Sequence, residues 1–162
     1  MQDIAALSVS FFAWMQNSRV GTTISQSLPL TAGLSAVHLI GFTLIMGAAL
    51  VSNLRLLGVL FEHRPLREVA GPASRGIALG LVISVATGLF LFSARASTAS
   101  ENGIFQLKML LLVAAAGFQF GFHRHVTGRE ASPPVLLRLT GAVGLALWFG
   151  VALAGCAFIL LE

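Results

Sequence analysis

The chain is poor in cysteine, acid and lysine, and it has no tyrosine. Its 162 residues include one Cys and six Asp or Glu, and Lys and Arg together number ten. A single cysteine rules out an internal disulfide and any CxxC-type metal or redox site. The six acids (Asp3, Glu62, Glu68, Glu101, Glu130, Glu162) all lie at chain ends or in links. No pair of carboxylates is therefore available for acid–base catalysis or an acid-driven proton pump. HExxH, P-loop and GxSxG patterns are also missing, so metalloprotease, ATPase and hydrolase readings have no motif behind them, and no catalytic residue is assigned. Charged residues make up 10%, against about 25% in an ordinary soluble domain. The net charge of +4 would raise nucleic acid as a partner in a soluble protein. Here the arginines sit at segment ends, with no basic stripe and no aromatic–basic interleaving. The membrane surface is the simpler partner.

Apolar residues are plentiful, at 56% of the chain. They gather in four long stretches, roughly Leu30 to Leu57, Ile77 to Phe92, Ile104 to Phe122 and Leu136 to Leu161. Crossing the hydrocarbon core takes about 20 apolar residues. The expected fold is therefore all-α and integral to a membrane: one four-transmembrane-helix bundle over residues 27–162, with spans near 30–57, 75–94, 103–124 and 135–161. Residues 1–26 read as an interfacial amphipathic helix and linker, with Ile4, Leu7, Phe11 and Met15 at helical spacing and Trp14 at headgroup depth. Asp3 and the bulky Trp14–Met15 pair argue against a cleaved signal peptide. Ser27 and Pro29 suit the start of the first span. Pro65 and Gly71–Pro72 punctuate a basic link, 97–102 a polar loop, and Ser132–Pro133–Pro134 the start of the last span.

Counting Lys and Arg near the span ends gives an orientation. Arg55, Arg64, Arg67, Arg75, Arg124, Arg129 and Arg138 fall on one side, and Arg19, Arg95 and Lys108 on the other. The expectation is a multi-pass protein of the bacterial inner membrane, with the two basic links in the cytoplasm and both termini in the periplasm. Small residues at four-residue spacing, Gly76/Gly80 and Gly117/Gly121, suit close helix packing in lipid, or room for a flat cofactor.

His38 lies about 9 Å inside the first span. An ionisable side chain there is a functional-site hypothesis by default. It reads as a haem or metal ligand, or as a structural imidazole bonded to a neighbouring helix. Lys108 enters the third span from the same side, where it snorkels to water or pairs with an anion. Arg95 closes the second span on that side, and Cys156 returns to a similar depth in the fourth. Helical bundles hold haem b through histidine ligands. His38 is the candidate axial ligand, with Arg95 and Lys108 neutralising propionates. His123 and His125 lie roughly 15–20 Å too deep to complete a bis-His pair. Copper is the alternative, with His38, Cys156 and Met109 as ligands; Met46, on the same helix, reads as core. His63, His123 and His125 read as solvated interfacial histidines. Asn53 and Arg55 read as snorkelling to headgroups or capping the basic link.

Several short stretches, in order, carry a resemblance: His38-Leu39-Ile40-Gly41, Leu54-Arg55-Leu56-Leu57-Gly58, Thr87-Gly88-Leu89, Phe105-Gln106-Leu107-Lys108 and Trp148 with Ala154-Gly155. The chain resembles a family of small uncharacterised four-helix bacterial inner-membrane proteins. That family is distantly similar in architecture to copper-resistance-D-like and cytochrome b561-like membrane proteins. The chain has Asn53 where that pattern suggests an acid, and Cys156 where it suggests a base. The resemblance implies a four-helix bundle that holds haem or copper. The expected function is a haem-b-binding membrane electron-transfer protein or subunit with a periplasmic-side site. The alternative is a non-redox accessory or scaffold subunit, or a copper or small-solute handling protein. Membrane lipid, a quinone or redox partner subunit, and a second copy of the chain are the candidate partners.

Overall fold

The computed structural model describes residues 10–128 and 132–160. All regular structure among them is helical. A short turn of helix over 10–16 leads into α1 (Arg19–Gln26). Then follow α2 (Leu28–Leu57), α3 (Leu66–Ala94), α4 (Ala96–Glu101) and α5 (Gly103–Phe118). A π-helical turn, Gln119–His123, carries α5 on into α6 (Arg124–Gly128), and α7 (Pro134–Leu160) completes the described chain. Four helices are long and apolar enough to cross a membrane: α2, α3, the continuous Gly103–Gly128 helix and α7. The part of the expected interfacial helix before residue 10 lies outside the described residues. Within it, Phe11 and Trp14 are exposed while Phe12 packs on Phe92.

Local chemistry explains most boundaries. Ser18 caps α1, its hydroxyl accepting from the Gly21 N–H at 3.1 Å. Ser27 occupies the N-cap position of α2 without a side-chain bond, and Pro29 takes an early position whose N–H has no helical partner anyway. Gly58 ends α2 with φ 77°, in the left-handed region that glycine enters without penalty. Asn102 caps α5 by accepting from the Ile104 and Phe105 N–H groups. Two boundaries differ from expectation. α3 begins at Leu66, well before residue 75, because Pro72 lies on an exposed side of the helix and removes only one backbone bond. The 97–102 stretch is not an open loop, since Ala96–Glu101 forms a short helix.

Glycine governs the packing. α2 and α3 form the most intimate pair. A Cβ on Gly80 would stand 2.6 Å from the Gly41 carbonyl oxygen, and one on Gly41 would stand 2.7 Å from the Ser84 hydroxyl. Side chains at these positions would hold the backbones apart. α7 then bridges α2 and α5. It meets α2 through Gly141 and Gly144, and meets α5 where Trp148 and Val151 face Ala115. Ile45, Ala49, Ile77, Ala115, Trp148 and Val151 form the buried core. Among the described residues no extended packing joins α3 to α5. Those two helices are tied chiefly at their ends. At one end Phe92 and Phe105 stack at 5.2 Å, and Phe105 meets Phe158. At the other, Arg67 donates to the Gly128 carbonyl. The first is called the Asn102 end below, and the second the basic end.

Candidate functional site

His38 projects from α2 toward α3 near the Asn102 end. Its Nδ1 lies 3.1 Å from Thr87 Oγ1. The Thr87 hydroxyl has a single proton, and it donates that proton to the Ile83 carbonyl at 2.7 Å. A Thr87 hydroxyl engaged in that way accepts from His38. In that arrangement the imidazole is the Nδ1–H tautomer, and Nε2 carries the lone pair. No other side chain bonds the ring among the described residues, though the ring also lies within reach of the Ser84 backbone. Ser84 adds a second tie between the helices by donating to the His38 carbonyl at 3.3 Å. Gly88 makes room for the ring, since a Cβ there would stand 3.1 Å from His38 Cε1.

The structure brings Lys108 and Cys156 to this level. The Lys108 side chain crosses from α5 to α7, where its Nζ would stand 3.8 Å from a Cβ on Gly155. The ammonium lies within electrostatic reach of both His38 and Cys156. It makes no hydrogen bond and no ion pair with any described residue. Cys156 is a free, exposed thiol. Arg95 ends α3 about two turns beyond Gly88 and is exposed. Met46 packs against the core, as its helical spacing suggests. Met109 follows Lys108 and is partly buried. Among the described residues no three His, Cys, Asp or Glu side chains gather as a metal cluster.

A second polar cluster, at the basic end, overturns the reading of His123 and Asn53 as surface groups. His123 and Asn53 are fully buried, as are Ser52 and Gln119. His123 Nε2 lies 3.1 Å from Ser52 Oγ, and its Nδ1 lies 3.2 Å from Gln119 Nε2. An amide nitrogen only donates, so Nδ1 accepts and Nε2–H donates to Ser52. The wide π turn sets Gln119 and His123 on the bundle side together. Asn53 donates to the Ala49 carbonyl at 2.8 Å, while its carbonyl oxygen presses on Gly144 where any Cβ would collide. The Asn53 and Gln119 side-chain oxygens accept no hydrogen bond from the described residues. The sequence carried a signal for this cluster: Gln119, His123 and Thr127 recur at four-residue spacing in an otherwise apolar helix. His125 and His63 are exposed, as expected, and Arg55 braces the link by donating twice to the Arg64 carbonyl.

The two histidines cannot share an iron. Ser52, the partner of His123, lies fourteen residues beyond His38 on α2, or about 21 Å along the axis. His123 has both ring nitrogens engaged as well. A single-histidine haem fits the donors present better: His38 offers a ring nitrogen, and Lys108, at the same level, has no ion-pair partner among the described residues.

Fold and sites together define an all-α membrane-spanning bundle of four long helices with separate polar clusters near its two ends. The chain belongs to a family of unknown function, DUF6644, whose model matches residues 11–160. No curated protein and no solved structure matches it.

Proposed function

We propose that the protein is a haem-b-binding electron-transfer protein or subunit of the bacterial inner membrane, with His38 Nε2 as axial ligand. One observation supports this reading above others: a half-buried imidazole held through Nδ1 by Thr87, at the level of an ammonium that has no ion-pair partner among the described residues. Ligating histidines commonly donate their other N–H to a neighbour, which fixes the tautomer and ring orientation. A half-buried cation in a span calls for an anion. Lys108, with Arg95 above it, suits the carboxylates of a haem. The bound haem would supply one-electron chemistry. His38 would hold the group and Lys108 and Arg95 would balance its carboxylates, at the end of the bundle where Phe92, Phe105 and Phe158 pack together. A bare copper ion on His38, Cys156 and Met109 suits the site less well, because the Lys108 ammonium interacts with both His38 and Cys156 and would repel a cation.

The proposal extends to placement and partners. The arginine excess at the basic end suits a cytoplasmic side, which puts both termini and the His38 level toward the periplasm. A quinone or a redox partner subunit would exchange electrons there. Similarity in architecture to copper-resistance-D-like and cytochrome b561-like proteins belongs to the same proposal. The second reading is a non-redox scaffold or accessory subunit, favoured by the His38–Thr87 bond acting simply as a tie between α2 and α3. A spectrum separates the two. Protein purified in mild detergent shows a Soret band and reduced α/β bands under the first reading, and His38→Ala removes them. A folded, colourless wild type that takes up no added haem overturns it.

A further inference from the structure

The outer face of the α2–α3 pair carries a groove of about 970 Å³ that the His38 site does not use. We propose that this groove is a binding site for one anionic phospholipid, with an acyl chain lying over Gly47 and Gly76 and the phosphate held at Arg64. The floor exists because those two residues lack side chains. A Cβ on Gly47 would meet nothing within 4 Å, and one on Gly76 would meet only Ala48. From Leu39 to Val51 the walls are apolar apart from Thr43, whose hydroxyl is taken up by the Leu39 carbonyl.

Groove length distinguishes the occupant. From Leu39 to Val51 is twelve residues, or about 18 Å of helix. One leaflet of the hydrocarbon core is about 15 Å thick. An acyl chain from a single leaflet fills that length, whereas a helix from a second copy would need the whole core.

The mouth carries the charge. Arg64 and Glu68 line it, together with Phe61. The Arg64–Glu68 pair is long, at 4.0 Å, and both side chains are exposed, so it holds the guanidinium weakly and leaves it open to a phosphate. Phe61 adopts φ 53°, an outlier for a bulky residue. The turn that holds it closes through the Arg64 N–H bonding to the Phe61 carbonyl at 2.9 Å. Arg55 braces the same turn through two bonds to the Arg64 carbonyl. The structure thus maintains an unfavourable backbone conformation where an aromatic residue and a cation both line the groove mouth.

The test is native mass spectrometry of the full chain released from nanodiscs of phosphatidylglycerol or of phosphatidylcholine. Wild type is expected to retain one phosphatidylglycerol in preference to phosphatidylcholine. Gly47→Leu puts a side chain on the floor, where an added Cβ meets nothing within 4 Å, and should lower that retention about tenfold, with a melting temperature no lower than that of wild type. Arg64→Gln, an exposed change that leaves the floor intact, should abolish the preference for the anionic lipid while leaving residual binding of either. Equal retention of both lipids by wild type overturns the proposal. So does undiminished phosphatidylglycerol on Gly47→Leu, or a dimer that Gly47→Leu dissociates. None of these outcomes depends on the His38 site.

Discussion

Gly80→Ala is the sharpest test of how the bundle is held together. The added methyl would stand 2.6 Å from the Gly41 carbonyl oxygen and 2.7 Å from Ile45 Cγ1, where ordinary contacts begin at 3.4 Å. Two of its near neighbours, the Gly41 oxygen and the Ile45 nitrogen, are backbone and cannot rotate away, so α2 and α3 must separate by roughly 0.8 Å, the shortfall in that contact. Overpacking of this kind costs about 1–3 kcal/mol, and the better helix propensity of alanine returns up to about 1 kcal/mol. The net expectation is a loss of about 1–2 kcal/mol, or a factor of roughly 5–30 in the folded-to-unfolded ratio. Gly117→Ala is the matched control, because a Cβ there meets nothing within 4 Å. It gains the propensity without the clash and should be neutral or slightly stabilising. Reversible unfolding in mixed detergent micelles, followed by circular dichroism, measures both. A Gly80→Ala protein as stable as Gly117→Ala would refute the close α2–α3 crossing.

Thr87→Val should release the His38 ring and broaden or shift any haem bands, whereas His38→Ala removes them; identical spectra for Thr87→Val and wild type would count against the locked tautomer. Lys108→Met removes a half-buried ammonium that has no described counter-ion, so it should raise the melting temperature of cofactor-free protein and weaken haem uptake in a titration; an unchanged melting temperature would mean that the amine is well solvated. Ser52→Ala strands the buried His123 Nε2–H and should cost about 1–3 kcal/mol in the same unfolding assay, and a neutral result would show that His123 needs no partner there. Single cysteines at Arg64 and Thr98, in a Cys156→Ser background, should react with an impermeant maleimide from opposite faces of sealed vesicles. Labelling from one face would contradict four crossings.

The spans were readable because lipid imposes a composition that nothing else in a chain this size requires. The common level of His38 and Lys108 was readable for the same reason, since depth follows from counting residues along a helix. Partners were harder. Thr87 became the partner of His38 only through the α2–α3 crossing, and that crossing is set by Gly41 and Gly80 rather than by either polar residue. Gly76 and Gly80 do serve packing, as their spacing suggested, while Gly117 and Gly121 face no described neighbour. His123 was misread because its flanking arginine and histidine look like the end of a span. The helix instead runs on to Gly128, and the Gln119–His123–Thr127 stripe faces inward. Asn53 was misread likewise, because the gap that receives its amide belongs to Gly144, on a helix ninety residues away in sequence.

The π turn at Gln119–His123 has a consequence for how this chain tolerates change in length. A wide turn of this kind holds one more residue than an α-helix would place there. Deleting Phe120 should therefore let the segment relax into an unbroken α-helix instead of breaking it. Everything C-terminal to the cut would then keep its place round the axis, because the residue removed is the extra one the wide turn absorbs, and the imidazole would still face Ser52. Deleting Val113 from the regular helix before the turn would instead rotate everything beyond by some 100° and carry the imidazole from Ser52 toward the lipid with all four crossings kept, so the two deletions together separate having the bundle from having what the bundle encloses.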